Sequence, residues 1–166
     1  PESVLEWVDR FGADRIVLSV GARGGMIATK GWLEQSELEV GAFIGEHVSR
    51  GVRRVVCTDI DRDGLMQGPS AALYERLLGQ VKGVELVASG GVSGVEDLER
   101  LARVEGPGGE RLTGVIIGKA LYEGAIRAEE LGELGRRFAG PEGAGWPAAG
   151  LQGTGPERGR STETPC

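Results

Sequence analysis

The chain has 166 residues, 27% of them charged and 40% hydrophobic, with a formal net charge of −6. This acidic balance argues against a general nucleic-acid binder, which presents a basic surface, and no run approaches the ~18 apolar residues of a membrane span. Pro1 opens no signal-peptide pattern, and the two cysteines, Cys57 in an apolar run and Cys166 at the end, are not spaced as a disulfide framework, so reduced thiols in a cytoplasmic setting are expected.

The first predicted element is a helix over Val4–Phe11, with Trp7 expected in the core. Arg15–Val20 (RIVLSV) is short, apolar and rich in β-branched residues, the pattern of a buried strand. A helix is expected over Glu37–Arg50, with Ser36 and Glu39 as a capping box at its start and Gly51 ending it. Arg54–Thr58 (RVVCT) is the next strand. Ser70 then caps a helix over Ala71–Val81 that carries Leu73, Leu77, Leu78 and Val81 on one side. Glu85–Ser89 (ELVAS) reads as a strand, and Ser93 with Glu96 forms a second capping box before a helix over Gly94–Val104. Gly114–Ile117 is the last strand, and a helix over Ile126–Phe138 follows. From Ala139 the sequence is rich in glycine and proline and has no hydrophobic period, so residues 139–166 are expected to be a disordered tail beside a folded unit at 1–138.

Strands that alternate with helices imply βαβ units and a parallel sheet. Four such repeats after an opening helix amount to half of an eight-fold barrel, whose usual length is ~250 residues. A doubly wound sheet fits the same periodicity.

Several motifs bear on chemistry. Asp59-Ile-Asp61-Arg-Asp63-Gly64 opens like an EF-hand loop, but its twelfth residue is Ser70 rather than the bidentate glutamate that calcium needs, and a strand precedes it. No metal is therefore expected. Gly114-Val-Ile-Ile-Gly118-Lys119-Ala120 has three residues between its glycines and alanine after the lysine, which rules it out as a Walker A loop. A different phosphate site is better supported. Ser89-Gly90-Gly91 ends one strand and Gly118-Lys119 ends the next, the two positions where eight-fold barrels commonly hold a phosphate. Glycines let backbone N–H groups approach the anion, Lys119 supplies charge, and Ala120–Gly124 supplies a helical turn. Thr58-Asp59, at a strand end before Asp63-Gly64, puts a hydroxyl and carboxylates where barrel enzymes carry catalytic groups; a strand end followed by an Asp-rich turn is the plainer alternative. His47, inside a helix, is expected to be a surface or packing residue, and Trp32, after a glycine, is placed to line a pocket mouth.

Four blocks of the sequence resemble the histidine-biosynthesis isomerase family that acts on phosphoribosylformimino-5-aminoimidazole carboxamide ribotide. Ala22–Trp32 (ARGGMIATKGW) is similar to the hairpin after that family's fifth strand, and Val55–Ser70 (VVCTDIDRDGLMQGPS) to its sixth-strand segment. Val87–Leu101 resembles the seventh and Gly114–Gly124 the eighth, so the likeness runs in order from about Val4 to Phe138. It implies the C-terminal half of a (βα)8 TIM barrel, strands five to eight. The activity implied is a cofactor-free and metal-free Amadori rearrangement, from aldose to ketose, of a bisphosphorylated ribotide. On that likeness the second phosphate would sit on Gly64, Ser89, Gly90, Gly91, Gly118 and Lys119, with Asp59 on the substrate side and Thr58 assisting the chemistry.

The family also uses two aspartates, one ending strand one and one ending strand five. The first would lie outside this chain, and Gly21 stands at the second. The expected partner is therefore a first half-barrel or a second copy of the chain, with no nucleic acid and no membrane. Three further readings accompany the main one: an inactive phosphosugar-binding half-barrel, a bifunctional isomerase also accepting phosphoribosylanthranilate, and the related cyclase subunit of imidazole glycerol phosphate synthase. The Thr58–Ile60 run disfavours the last.

Overall fold

A computed structural model describes residues 2–29, 31, 32 and 34–138; the expected tail at 139–166, with Trp146 and Cys166, lies outside the described residues. The elements are α1 (Glu2–Phe11), a short 3-10 turn (Ala13–Arg15), β1 (Val17–Arg23), β2 (Met26–Thr29), β3 (Glu34–Glu39), α2 (Val40–Ser49), β4 (Arg54–Asp59), α3 (Ala71–Gln80), β5 (Glu85–Ser89), α4 (Val95–Ala102), β6 (Gly114–Ile116), α5 (Lys119–Tyr122) and α6 (Ala128–Phe138).

One sheet runs in the order β3-β2-β1-β4-β5-β6. β1, β4, β5 and β6 are parallel neighbours, and each step between them is a crossover through a helix. These are the four strands that the apolar runs predict. β2 and β3 fold back antiparallel on the β1 edge as a polar meander.

Because side chains alternate across a strand, each parallel strand has two unlike faces. Leu18, Val20 and Ala22 of β1, Val55 and Cys57 of β4, and Leu86 and Ala88 of β5 are buried. They meet a helix layer whose buried residues include Ile44, Tyr74, Leu77, Leu78, Leu98 and Leu101. The opposite face carries Val17, Val56, Val87 and Ile116, and no helix among the described residues covers it: Val17 is 53% exposed and Ile116 47%. In a closed barrel this face would be the packed interior. The described residues thus form an open α/β half-barrel, with edges at β3 and β6.

Four local expectations need correction, the first being Ser70, which occupies the N-cap position of α3 without a capping bond from its side chain. Ser36 does not cap α2; it lies in β3, where its hydroxyl donates to the Ile27 carbonyl at 3.0 Å. The cap is Glu39, whose carboxylate accepts from Ala42 N–H at 2.7 Å, so the helix begins at Val40 rather than Glu37. Glu96 does not reach back to Ser93 either. The Ser93 N–H (2.8 Å) and hydroxyl (2.6 Å) both donate to the buried Asp97 carboxylate, and Gly94 is the cap position. Trp7 is 50% exposed instead of in the core, because α1 turns Leu5 and Val8 to the protein and leaves Trp7 and Phe11 outward. His47 is a packing residue, its Nδ1 2.9 Å from the Phe43 carbonyl.

Gly51 ends α2 as expected. It has a φ of +105°, with Val52 N–H bonded to the His47 carbonyl (3.0 Å) and Gly51 N–H to that of Val48 (3.1 Å), the paired bonds of a Schellman cap. A Cβ there would meet only Val8 Cγ1 at 3.5 Å, an ordinary contact, so the cost of a side chain is backbone strain alone. Gly51→Ala is therefore expected to lower unfolding free energy by about 1 kcal/mol, measured by urea denaturation with an unchanged m-value.

Candidate functional site

The C-terminal ends of the parallel strands all open on the same side of the sheet, and the loops that leave them build the site. Register fixes its floor. Gly21 of β1 pairs with Thr58 of β4, Thr58 with Ser89 of β5, and Ser89 with Ile116 of β6. Since residues in one row share a face, the Thr58 and Ser89 side chains lie on the open inner face, each only 8% exposed.

Above this row lies a cavity of about 250 Å³ lined by Asp63, Gly64, Met66, Ser89, Gly90, Gly91, Val92, Ile116, Gly118 and Lys119. All six residues expected to hold a phosphate are among them. Two of the glycines are sterically demanded. Gly90 (φ +96°) passes so close to β4 that a Cβ would lie 2.6 Å from the Asp59 carbonyl oxygen. Gly91 (φ +83°) would place one 2.7 Å from the Gly68 carbonyl oxygen and 2.9 Å from Arg62 Cβ. The chain after β5 is thereby pressed against the loop after β4, and Gly68 N–H donates to the Gly91 carbonyl at 2.9 Å. Gly118 and Gly64 have open space around them. Lys119 Nζ donates to the Gly64 carbonyl at 3.1 Å and sits 3.6 Å from Glu123, so its ammonium bridges the loops after β4 and β6 at the cavity edge.

Asp59 stands apart from this group. One position beyond Thr58, it turns to the other face of β4 and lines a separate depression with Asp61, Arg62, Ser70 and Arg76. Its carboxylate accepts from Asp61 N–H at 3.2 Å and lies 3.6 Å from Arg62. Burial raises its pKa, against the lowering effects of that N–H and of Arg62. These contacts organise the turn that carries Asp63 and Gly64. Asp63 brings a carboxylate to the cavity itself, a placement that comes from the turn: Arg62 and Asp63 N–H groups both bond the Asp59 carbonyl, at 3.2 and 3.0 Å. Its sequence signal, an aspartate before a glycine just past a strand end, is also that of any tight turn.

At Gly21 the absence of a side chain has a visible occupant. A Cβ there would meet Ile60 Cδ1 at 2.6 Å and Trp32 Nε1 at 2.7 Å, so the indole of Trp32, 42% exposed, lies over the strand end; it is not among the residues lining the cavity above Ser89. Cys57, fully buried on the helix side, has its pKa pushed up to about 12 by burial and then by Asp59. It is not poised for nucleophilic work. Among the described residues no group of three or more His, Cys, Asp or Glu is placed to hold a metal ion, and no helix is long and apolar enough to cross a membrane.

The two kinds of glycine predict different outcomes. Gly90→Ala should destabilise the fold, because the obstacle is backbone. Gly118→Ala, with open space around it, should leave the melting temperature within about 2 °C, a shift below that of 1 kcal/mol. Thermal melts of both variants check this.

Comparison with known proteins gives the family. The family model described as "Histidine biosynthesis protein" matches residues 1–127. The chain is 43% identical over 126 residues to a 1-(5-phosphoribosyl)-5-((5-phosphoribosylamino)methylideneamino)imidazole-4-carboxamide isomerase of Flavobacterium johnsoniae, covering 76% of this chain and 50% of the relative. It is 43% identical over 131 residues to the enzyme of that name from Flavobacterium psychrophilum (79% and 52%), and 38% over 134 residues to that of Cytophaga hutchinsonii (81% and 53%). The chain spans about half the length of these curated relatives. With four parallel βα units and a glycine-lined cavity at their C-terminal ends, the chain belongs to the histidine biosynthesis protein family.

Proposed function

We propose that residues 1–138 form the second half of a histidine-biosynthesis isomerase barrel and hold one phosphate of a bisphosphorylated ribotide during an Amadori, aldose-to-ketose, rearrangement in the cytoplasm. The observation that carries this reading is the cavity in which Gly64, Ser89, Gly90, Gly91, Gly118 and Lys119 converge. Backbone approaches closely there, and a lysine stands at the rim, a combination suited to a phosphate oxyanion.

The rearrangement requires a proton delivered to the sugar ring oxygen as the ring opens, and one removed from the adjacent carbon as the ketose forms. Asp63, a carboxylate lining the same cavity, is our candidate to exchange one of these protons. Thr58, in register with Ser89 on the same face, offers a hydroxyl to orient the sugar. Neither step calls on a metal or an organic cofactor.

The open inner face and the two sheet edges support a complement: a first half-barrel, or a second copy of the chain closing a ring that hides both edges. Size-exclusion chromatography of the chain alone is expected to show dimers or larger species; a cooperatively folding monomer would exclude this. In a barrel completed with a first half from a relative, Asp63→Asn is expected to lower kcat by ~10²–10⁴-fold with little change in phosphate affinity. Lys119→Ala should instead weaken inorganic phosphate binding about tenfold, one lost charge-assisted bond.

Gly21 favours a second reading, a phosphosugar-binding half-barrel that does not turn over. Gly21 itself offers no side chain, and Trp32 fills the space. Assaying binding and turnover separately in the completed barrel decides between the two. Binding without turnover, with rescue by Gly21→Asp, supports the inactive module; turnover with Gly21 in place removes it. Phosphoribosylanthranilate offered as a second substrate tests for a bifunctional range.

A further inference from the structure

Tyr74, on α3, has no exposure to solvent and heads the largest fully buried side chains. Its ring packs in the core, and a phenylalanine would fill the same volume. The hydroxyl is what the core does not explain, since a buried phenol needs partners. It donates to the Ser89 carbonyl at 2.8 Å, lies 3.3 Å from the Cys57 carbonyl, and accepts from the Ser89 N–H at 3.1 Å. One side chain from the helix layer thus takes both main-chain groups of the last residue of β5 and reaches β4 one residue before Thr58.

The backbone beyond Ser89 has little freedom. Gly90 clears the Asp59 backbone only because it has no Cβ, and Gly91 must meet Gly68 to make its 2.9 Å bond. A shift of a few tenths of an ångström at Ser89 would spoil both contacts and reshape the cavity wall. Burial, the largest cause, raises the Tyr74 pKa above its ordinary value, so the hydroxyl keeps the proton it donates across physiological pH.

We propose that the Tyr74 hydroxyl is the positioning group of the anion cradle: it sets the backbone of Ser89, and through it Gly90 and Gly91, relative to β4. The inference rests on the phosphate reading of this cavity.

The test compares Tyr74→Phe with Leu78→Val, a volume change at an equally buried position of the same helix, in the full chain. Amide exchange and inorganic phosphate titration are followed by NMR. In Tyr74→Phe, the Ser89 and Gly90 amides should exchange about tenfold faster relative to Leu86 of the same strand, and phosphate affinity should fall by a similar factor, the effect of one lost hydrogen bond. Leu78→Val should speed core amides together and leave phosphate affinity of the folded protein unchanged. If Tyr74→Phe leaves both measurements as in the parent, the proposal is overturned. Faster exchange with unchanged affinity also overturns it, because the hydroxyl would then serve stability alone. If the parent binds no phosphate, the phosphate reading fails instead, and local exchange at Ser89 and Gly90 still decides whether Tyr74 holds the strand end.

Discussion

The cradle depends on one close approach, that of the chain leaving β5 to the backbone ending β4. At Gly90 the separation is too small for a Cβ, and the obstacle is the Asp59 main chain rather than a side chain that could move aside. This contact brings the loops after β4 and β5 together, and the Gly68–Gly91 bond and the reach of Arg62 to the Gly68 carbonyl at 2.8 Å hold them there. With Lys119 spanning to Gly64 from the third loop, three βα connections become one concave surface. Site and fold are coupled: whatever separates β4 from β5 also opens the cradle.

The same strands have two unlike faces. On the helix side, β1, β4 and β5 bury Leu18, Val20, Val55, Cys57, Leu86 and Ala88 against the helices, so the chain has a core of its own. On the other side, Val17 and Ile116 are about half exposed, which is a favourable surface only if something else covers it. The chain matches about half the length of its curated relatives, and the unsatisfied face is the one a barrel would enclose.

Alternation along β4 separates two neighbouring residues that the sequence presents as a pair. Thr58 shares the inner face with Ser89, whereas Asp59 turns outward to Arg62 and organises the turn. That turn carries Asp63 into the cavity, so the carboxylate nearest the cradle is four residues beyond the strand end. At Gly21 the fold has no comparable substitute, because Trp32 and Ile60 pack where a side chain would begin.

By itself the sequence determined the four parallel strands, through short β-branched runs at Arg15–Val20, Arg54–Thr58, Glu85–Ser89 and Gly114–Ile117, and the helices between them. It also marked six residues that line one cavity, because glycines after consecutive strands are a local signal with a backbone cause. Only the tertiary structure decided the rest. Ser36 is a sound helix cap by local preference, yet a cross-strand bond to Ile27 takes its hydroxyl and leaves Glu39 to cap α2. Trp7 is apolar, yet the face that α1 turns to the core excludes it. Whether Asp59 or Asp63 faces the cavity depends on strand pleat and turn geometry, and Tyr74 meets Ser89 across fifteen positions of sequence. Local pattern records what a residue prefers; which partner it meets is fixed by contacts between segments that the pattern does not encode.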